Sequence, residues 1–129
     1  MKKKTYKELQ ENVRRIKLPK IDVWENKYND KKYLIRFETS EFTCICPKTG
    51  LPDFAKISIE YSPGKYCLEL KTVKEYLTKY RDIGIFHEHA MNRILEDLVK
   101  ASKPCWMKAS GVFNTRGGIT TTVETEYKE

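Results

Sequence analysis

The order of apolar periodicities in this 129-residue chain predicts an α+β fold, an antiparallel sheet with two helices on one face. Period-two alternation marks residues 33–70 and 105–127, whereas residues 72–102 between them place apolar side chains three and four apart. Helices that are apolar on one side need a sheet to cover. The chain is long enough for one domain with a real core and too short for separate cofactor and substrate domains. It divides into an N-terminal arm, 1–31, and a single folded domain, 32–129.

The arm is polar and lysine-rich, with a short helix predicted over 6–17 before Pro19 interrupts it. Such an arm suits packing on a neighbour. Tyr33, Ile35 and Phe37 alternate with Leu34, Arg36 and Glu38, which predicts a strand over 32–40. A second strand, 54–61, carries Ile57, Ile59 and Tyr61 on one face, and Ser62-Pro63-Gly64-Lys65 is a turn into a third, 66–70, as a hairpin. Val73, Tyr76, Leu77 and Tyr80 define a helix over 72–81. Met91, Ile94, Leu95 and Leu98 define another over 88–102, stopped by Pro104. Strands over 105–114 and 119–127, joined through Thr115-Arg116-Gly117-Gly118, close the order β-β-β-α-α-β-β.

Composition narrows the partners. A net charge of +7 favours anionic ones, and nucleic acid and phosphorylated cofactors both fit. No apolar run approaches the length of a bilayer, so no membrane partner is expected. Met1-Lys2-Lys3-Lys4-Thr5 leads into no apolar stretch, so it does not read as a secretory signal and a cytoplasmic location is expected. Cysteines 44, 46, 67 and 105 lack the spacing of a disulfide scaffold and read as free thiols.

The segment Cys46-Pro47-Lys48-Thr49-Gly50-Leu51-Pro52-Asp53 sets a thiol and a carboxylate across a turn-rich connection. A thiol attacks as its thiolate, which needs a nearby cation, base or backbone amides, and Lys48 is two residues away. The same residues also fit a small buried cysteine beside an ordinary turn. Glu69 to Tyr76 runs from a strand into a helix, with Lys71 and Lys74 spaced to share a face able to meet phosphate, or simply to be solvated. His87 and Glu88 stand at the entrance of the second helix, where a carboxylate is favoured and a His serves as acid, base or cap. Cys44-x-Cys46 and His87-x-His89 offer sulfur and nitrogen to zinc, but neither has the usual ligand spacing, and we assign no metal. Neither G-x-G-x-x-G nor a P-loop is present, so a dinucleotide would bind outside the familiar folds.

Together, Cys46-Pro-Lys-Thr-Gly-x-Pro-Asp53-Phe, the segment from Glu69 to Tyr76, Phe86-His87-Glu88 and Arg116-Gly117-Gly118-Ile119 resemble the short form of the NADPH-dependent 7-cyano-7-deazaguanine (preQ0) reductases, the QueF family. The likeness spans about residues 33–122. Thr72 stands where the family pattern has Ser or Ala, and Glu75 where it has Leu or Tyr.

The resemblance implies a tunnelling fold, with sheets of several subunits joined into a barrel and pentamers paired into a decamer. It implies reduction of the preQ0 nitrile to the aminomethyl product preQ1, in the biosynthesis of the tRNA nucleoside queuosine, without direct nucleic-acid binding. Cys46 would be the nucleophile, Asp53 the proton donor, and His87 a stacking or relay group. Leu68, Glu69, Leu70, His87 and Glu88 would line the substrate, and Lys71, Lys74, Arg116, Gly117 and Gly118 the NADPH. The alternatives are an amidine-forming relative that admits ammonia, a basic RNA-binding module, and a zinc enzyme.

Overall fold

The structure is a computed structural model and describes residues 9–129. Its main sheet is four-stranded and antiparallel, formed by β2 (Ile35–Ile45), β3 (Pro52–Ser62), β5 (Trp106–Arg116) and β6 (Ile119–Lys128) in that spatial order. Two short strands, β1 (Val23–Glu25) and β4 (Tyr66–Leu68), pair separately. Helix α1 (Leu70–Lys79) runs into a 3-10 turn, Tyr80–Asp82, and α2 is His87–Ser102.

One face of the sheet is apolar and covered. Phe42, Ala55, Ile57, Ile59, Tyr61, Met107, Ala109 and Phe113 are buried there. Helix α2 lies against β5 and β6, and α1 with its 3-10 turn against β2. Val73 and Tyr76 of α1 and Met91, Ile94, Leu95 and Leu98 of α2 complete the core, as the three-and-four spacing predicts. The opposite face carries charged cross-strand pairs, including Arg36 with Glu60 and Lys108 with Glu124. At the end of α2, Lys103 takes a left-handed conformation, φ 48°, immediately before Pro104.

Three differences from the sequence reading have physical causes. First, β2 extends beyond residue 40 to Ile45. A bulge between Thr39 and Phe42 shifts the alternation, so that Phe37 and Thr39 hand over to Phe42 and Cys44 on the covered face. Second, β4 does not form a hairpin with β3, because both edges of β3 are taken: Tyr61 pairs with Ile35 and with Met107. β4 pairs instead with β1, Val23 opposite Leu68, a strand from the arm that has no alternation to reveal it. Third, the described part of the arm packs on the chain's own core through Val13, Ile16, Leu18, Ile21 and Val23. The helix predicted over 6–17 falls partly outside the described residues, and its described part ends in a 3-10 turn, Val13–Arg15.

Candidate active site

The hairpin joining β2 to β3 builds the first part of the site. Cys44 pairs with Asp53, Ile45 with Pro52, and the Cys46 N–H donates to Leu51 O at 2.9 Å. Gly50, at φ +73°, closes the turn, its N–H donating to Cys46 O at 2.8 Å. Strand alternation puts Cys46 on the same face as Cys44 and Asp53. The predicted loop is therefore a tight hairpin turn that continues two long strands.

This turn also tunes the thiol. Partial burial raises the Cys46 pKa, but the Thr49 hydroxyl and the backbone N–H groups of Thr49 and Lys48 favour the thiolate, and the net shift is downward against a smaller opposing effect of Asp53. Cys44, two residues earlier, is fully buried and its thiol is pushed up to about 12, mainly by that burial. Neighbouring cysteines on one strand are thus driven in opposite directions, and Cys46 is the one equipped to react.

The second part comes from residues 83–86, which run parallel to the end of β2. Ile45 N–H donates to Ile83 O and Ile85 N–H donates to Ile45 O, each at 2.9 Å, with Ile83 and Ile85 buried as anchors. The chain then turns into α2 with His87 as its first residue. The His87 ring stacks on Phe113 of β5, centroids 3.8 Å apart and planes within 8°. Its Nε2 lies 3.0 Å from Asp53 Oδ2.

The third part is the tip of the β5–β6 hairpin. Gly117 and Gly118 adopt φ +55° and +80°, values suited to a two-residue turn matching strand twist. A register shift between Phe113 and Arg116 rotates Arg116 relative to the regular alternation. Its Nη2 reaches Asp53 Oδ1 at 2.7 Å and donates to Pro52 O. Asp53, only 4% exposed, is therefore held through one oxygen by a guanidinium and through the other by an imidazole.

Cys46, Asp53, His87 and Arg116 are thus gathered at one end of the sheet, with Glu88 next to His87 in the first turn of α2. Glu88 is exposed, and its carboxylate has no partner among the described residues. Arg116, grouped in the sequence with Lys71 and Lys74 as a phosphate binder, is here engaged with Asp53. Thr49 and Phe113 were not singled out from the sequence; a hydroxyl three residues after Cys46 was the available sign of the first.

Leu68, Glu69, Leu70, Lys71 and Lys74 are placed elsewhere. Glu69 caps α1, its Oε2 accepting from the N–H groups of Lys71 and Thr72. The Thr72 hydroxyl donates to Glu69 O at 3.0 Å and accepts from Asp22 N–H at 2.9 Å, tying the cap to the arm. Leu68 N–H donates to the Tyr61 hydroxyl, opposite the start of β2, whereas Cys46 follows its end. An eleven-residue strand separates the two groups by on the order of 30 Å. Beside this second group, a groove of about 290 Å³ between β2 and α1 is lined by Phe37, Phe42, Leu70, Val73, Lys74 and Leu77, among others.

Among the described residues no cluster of His, Cys, Asp or Glu has the makings of a metal site. No helix among them is long and apolar enough to cross a membrane.

Comparison with known proteins points the same way as the geometry. A reductase of Halorhodospira halophila, called NADPH-dependent 7-cyano-7-deazaguanine reductase, is 52% identical over 107 residues, covering 83% of this chain and 91% of that protein. Proteins of the same name from Syntrophus aciditrophicus and Elusimicrobium minutum are each 51% identical, over 85% and 88% of this chain and 79% and 85% of theirs. Among solved structures, the apo archaeosine synthase QueF-Like superposes with a TM-score of 0.68 at 27% identity, over 72% of this chain and 91% of that one. The profile of the family described as QueF-like protein matches residues 52–129, from the foot of β3 through both helices to the last strand, and the chain belongs to that family.

Proposed function

We propose that the chain reduces the nitrile of 7-cyano-7-deazaguanine to 7-aminomethyl-7-deazaguanine with NADPH, through a covalent thioimide on Cys46, as a step of queuosine biosynthesis. The observation that carries this is the pairing of a thiol tuned towards thiolate with a buried, doubly held carboxylate on the same face of the sheet. Identity near one half to the reductases named above supports it. The archaeosine synthase is more distant, and the amidine-forming and RNA-binding readings are not favoured.

Cys46 Sγ forms a bond to the nitrile carbon. The displaced π pair moves to nitrogen, which takes a proton from Asp53, so the product is a neutral thioimide. The His87–Asp53 contact holds an exchangeable proton beside the carboxyl and returns one after transfer. When bound, NADPH supplies a hydride to the carbon at each of two successive reductions. Between them Cys46 leaves as thiolate, its C–S bond pair returning to sulfur, and a second proton completes the amine. Nitrile, two hydrides and two protons balance to the neutral aminomethyl product. Glu88, with an unpartnered carboxylate at the helix entrance, reads the ring N–H and exocyclic amine of the purine-like edge.

NADPH fits the α1 side of the chain. Lys71 and Lys74 carry no ion pair among the described residues, and Lys74, three residues after Lys71 on α1, lines a largely apolar groove, a setting for phosphates beside a flat ring. An ideal Cβ built on Gly117 or Gly118 meets nothing within 4 Å, which leaves room for close approach of a cofactor to that backbone. The span of β2 between Cys46 and Glu69 supports a site completed between subunits. In that arrangement Leu68, Glu69 and Leu70 of one copy meet the Cys46 end of another, within a tunnelling-fold barrel of paired pentamers. Among the described residues β6, and β2 apart from its end at Ile45, pair with no strand on their outer edges, which is consistent with such closure. The free cysteines suit a reducing cytoplasm.

Protein mixed with the nitrile and no NADPH is expected to gain the substrate's mass, and Cys46→Ala is expected not to. An unchanged wild-type mass at saturating nitrile would rule out the covalent route.

A further inference from the structure

We propose that Arg116 is a positioning residue for Asp53, acting in the NADPH-free addition step rather than only at a cofactor phosphate. The inference rests on the reading of Cys46 and Asp53 as nucleophile and proton donor. Three features of the molecule carry it. Asp53 is 4% exposed, so the direction of its carboxyl plane is set by its partners and not by solvent. Arg116 Nη2 holds Oδ1 at 2.7 Å and also bonds Pro52 O, the carbonyl just before Asp53, so one guanidinium fixes side chain and backbone together. Oδ2 is left to His87, 3.0 Å away, whose own plane is fixed by stacking on Phe113.

The hairpin is built to deliver this contact. Without the register shift after Phe113, regular alternation would put Arg116 on the opposite side from Phe113. The turn that makes the shift possible uses consecutive glycines at positive φ. The titratable and charged groups around Asp53 are Cys44 and Cys46 from β2, His87 from α2 and Arg116 from β5. Arg116 supplies the permanent positive charge among them. It is also 45% exposed at its side chain, so its removal opens no buried cavity.

The step is read by the rate at which wild type and variants gain the nitrile's mass without NADPH, set beside the KM for NADPH in the full reaction. Arg116→Gln is expected to slow adduct formation about tenfold, the scale for a misdirected reacting group. Arg116→Lys keeps the charge but cannot hold Asp53 Oδ1 and Pro52 O with one planar group, and it should recover only part of the rate. It also keeps the test open if the Gln variant folds poorly. Unchanged adduct kinetics in both variants, with only the NADPH KM raised, would overturn the proposal in favour of a pure phosphate contact. Failure of the wild type to form any adduct is a different result, and it would strike the covalent mechanism itself.

Discussion

Two aspartates in this molecule are held by an arginine and a ring, and they serve different ends. Asp97 on α2 accepts from Arg93 Nε at 2.8 Å and from the Tyr76 hydroxyl, which in turn meets the Tyr80 hydroxyl at 2.9 Å. Arg93, 11% exposed, uses its remaining nitrogens on Val13 O and Ile16 O, each at 2.7 Å, and so pins the arm to the core. Burial is the leading cause that pushes both tyrosines' pKa values up, so their protons stay in place. Every group in that network has an internal partner, and nothing is left to offer a ligand. Asp53 has the same kinds of partner, but its arginine comes from an exposed hairpin tip and its imidazole from the mouth of a helix beside an exposed Glu88. The closed network stabilises; the open one draws its partners from exposed elements, beside the Cys46 thiol.

That contrast can be broken from either side. The largest effect is expected in the closed network: Arg93→Met should lower stability in urea denaturation by about 3 kcal/mol, since it leaves Asp97 and the arm carbonyls without their donor. Adduct formation by the fraction still folded should be close to normal. In the open network the balance reverses. Asp53→Asn should slow NADPH-free adduct formation about a hundredfold, a scale typical of losing a general acid, while its unfolding free energy stays within about 1 kcal/mol of wild type. Equal stability losses in the two variants would erase the distinction.

A smaller change sharpens the picture of the thiol. Thr49→Val removes a hydroxyl that favours the Cys46 thiolate, so the thiol pKa rises and less thiolate is present at neutral pH. Alkylation of Cys46 by iodoacetamide should then slow by about threefold at pH 7, with its midpoint moved to higher pH and recovery at alkaline pH. Cys44, buried and raised to about 12, should stay unlabelled in the folded protein throughout this range.

Much of the fold was legible because it is local. The spacing of Val73, Tyr76 and Leu77, and of Met91, Ile94, Leu95 and Leu98, marks which side of each helix is buried, and the alternation at Ile57, Ile59 and Tyr61 does the same for β3. The bulge in β2 was not legible, since Thr39-Ser40-Glu41 interrupts the alternation in a way that also reads as a strand ending. Strand β1 was missed because three residues carry no period and their partner lies more than forty positions later. In the site, Cys46 and Asp53 stood out as residues with chemistry across a turn. The contact between Arg116 and Asp53, and the stacking of His87 on Phe113, join residues far apart in sequence and depend on register and twist.

The sequence by itself determined the α+β class, the helices and most strands, and the four motifs that resemble the reductase family, because propensity, periodicity and turn chemistry act between near neighbours. The tertiary structure decided which of those motif residues meet. It put Arg116 on Asp53, left Glu69 capping α1 at the far end of β2, and drove the thiol pKa of Cys46 down and that of buried Cys44 up, because pairing register, burial and charge at a point in space are set by the whole packed chain.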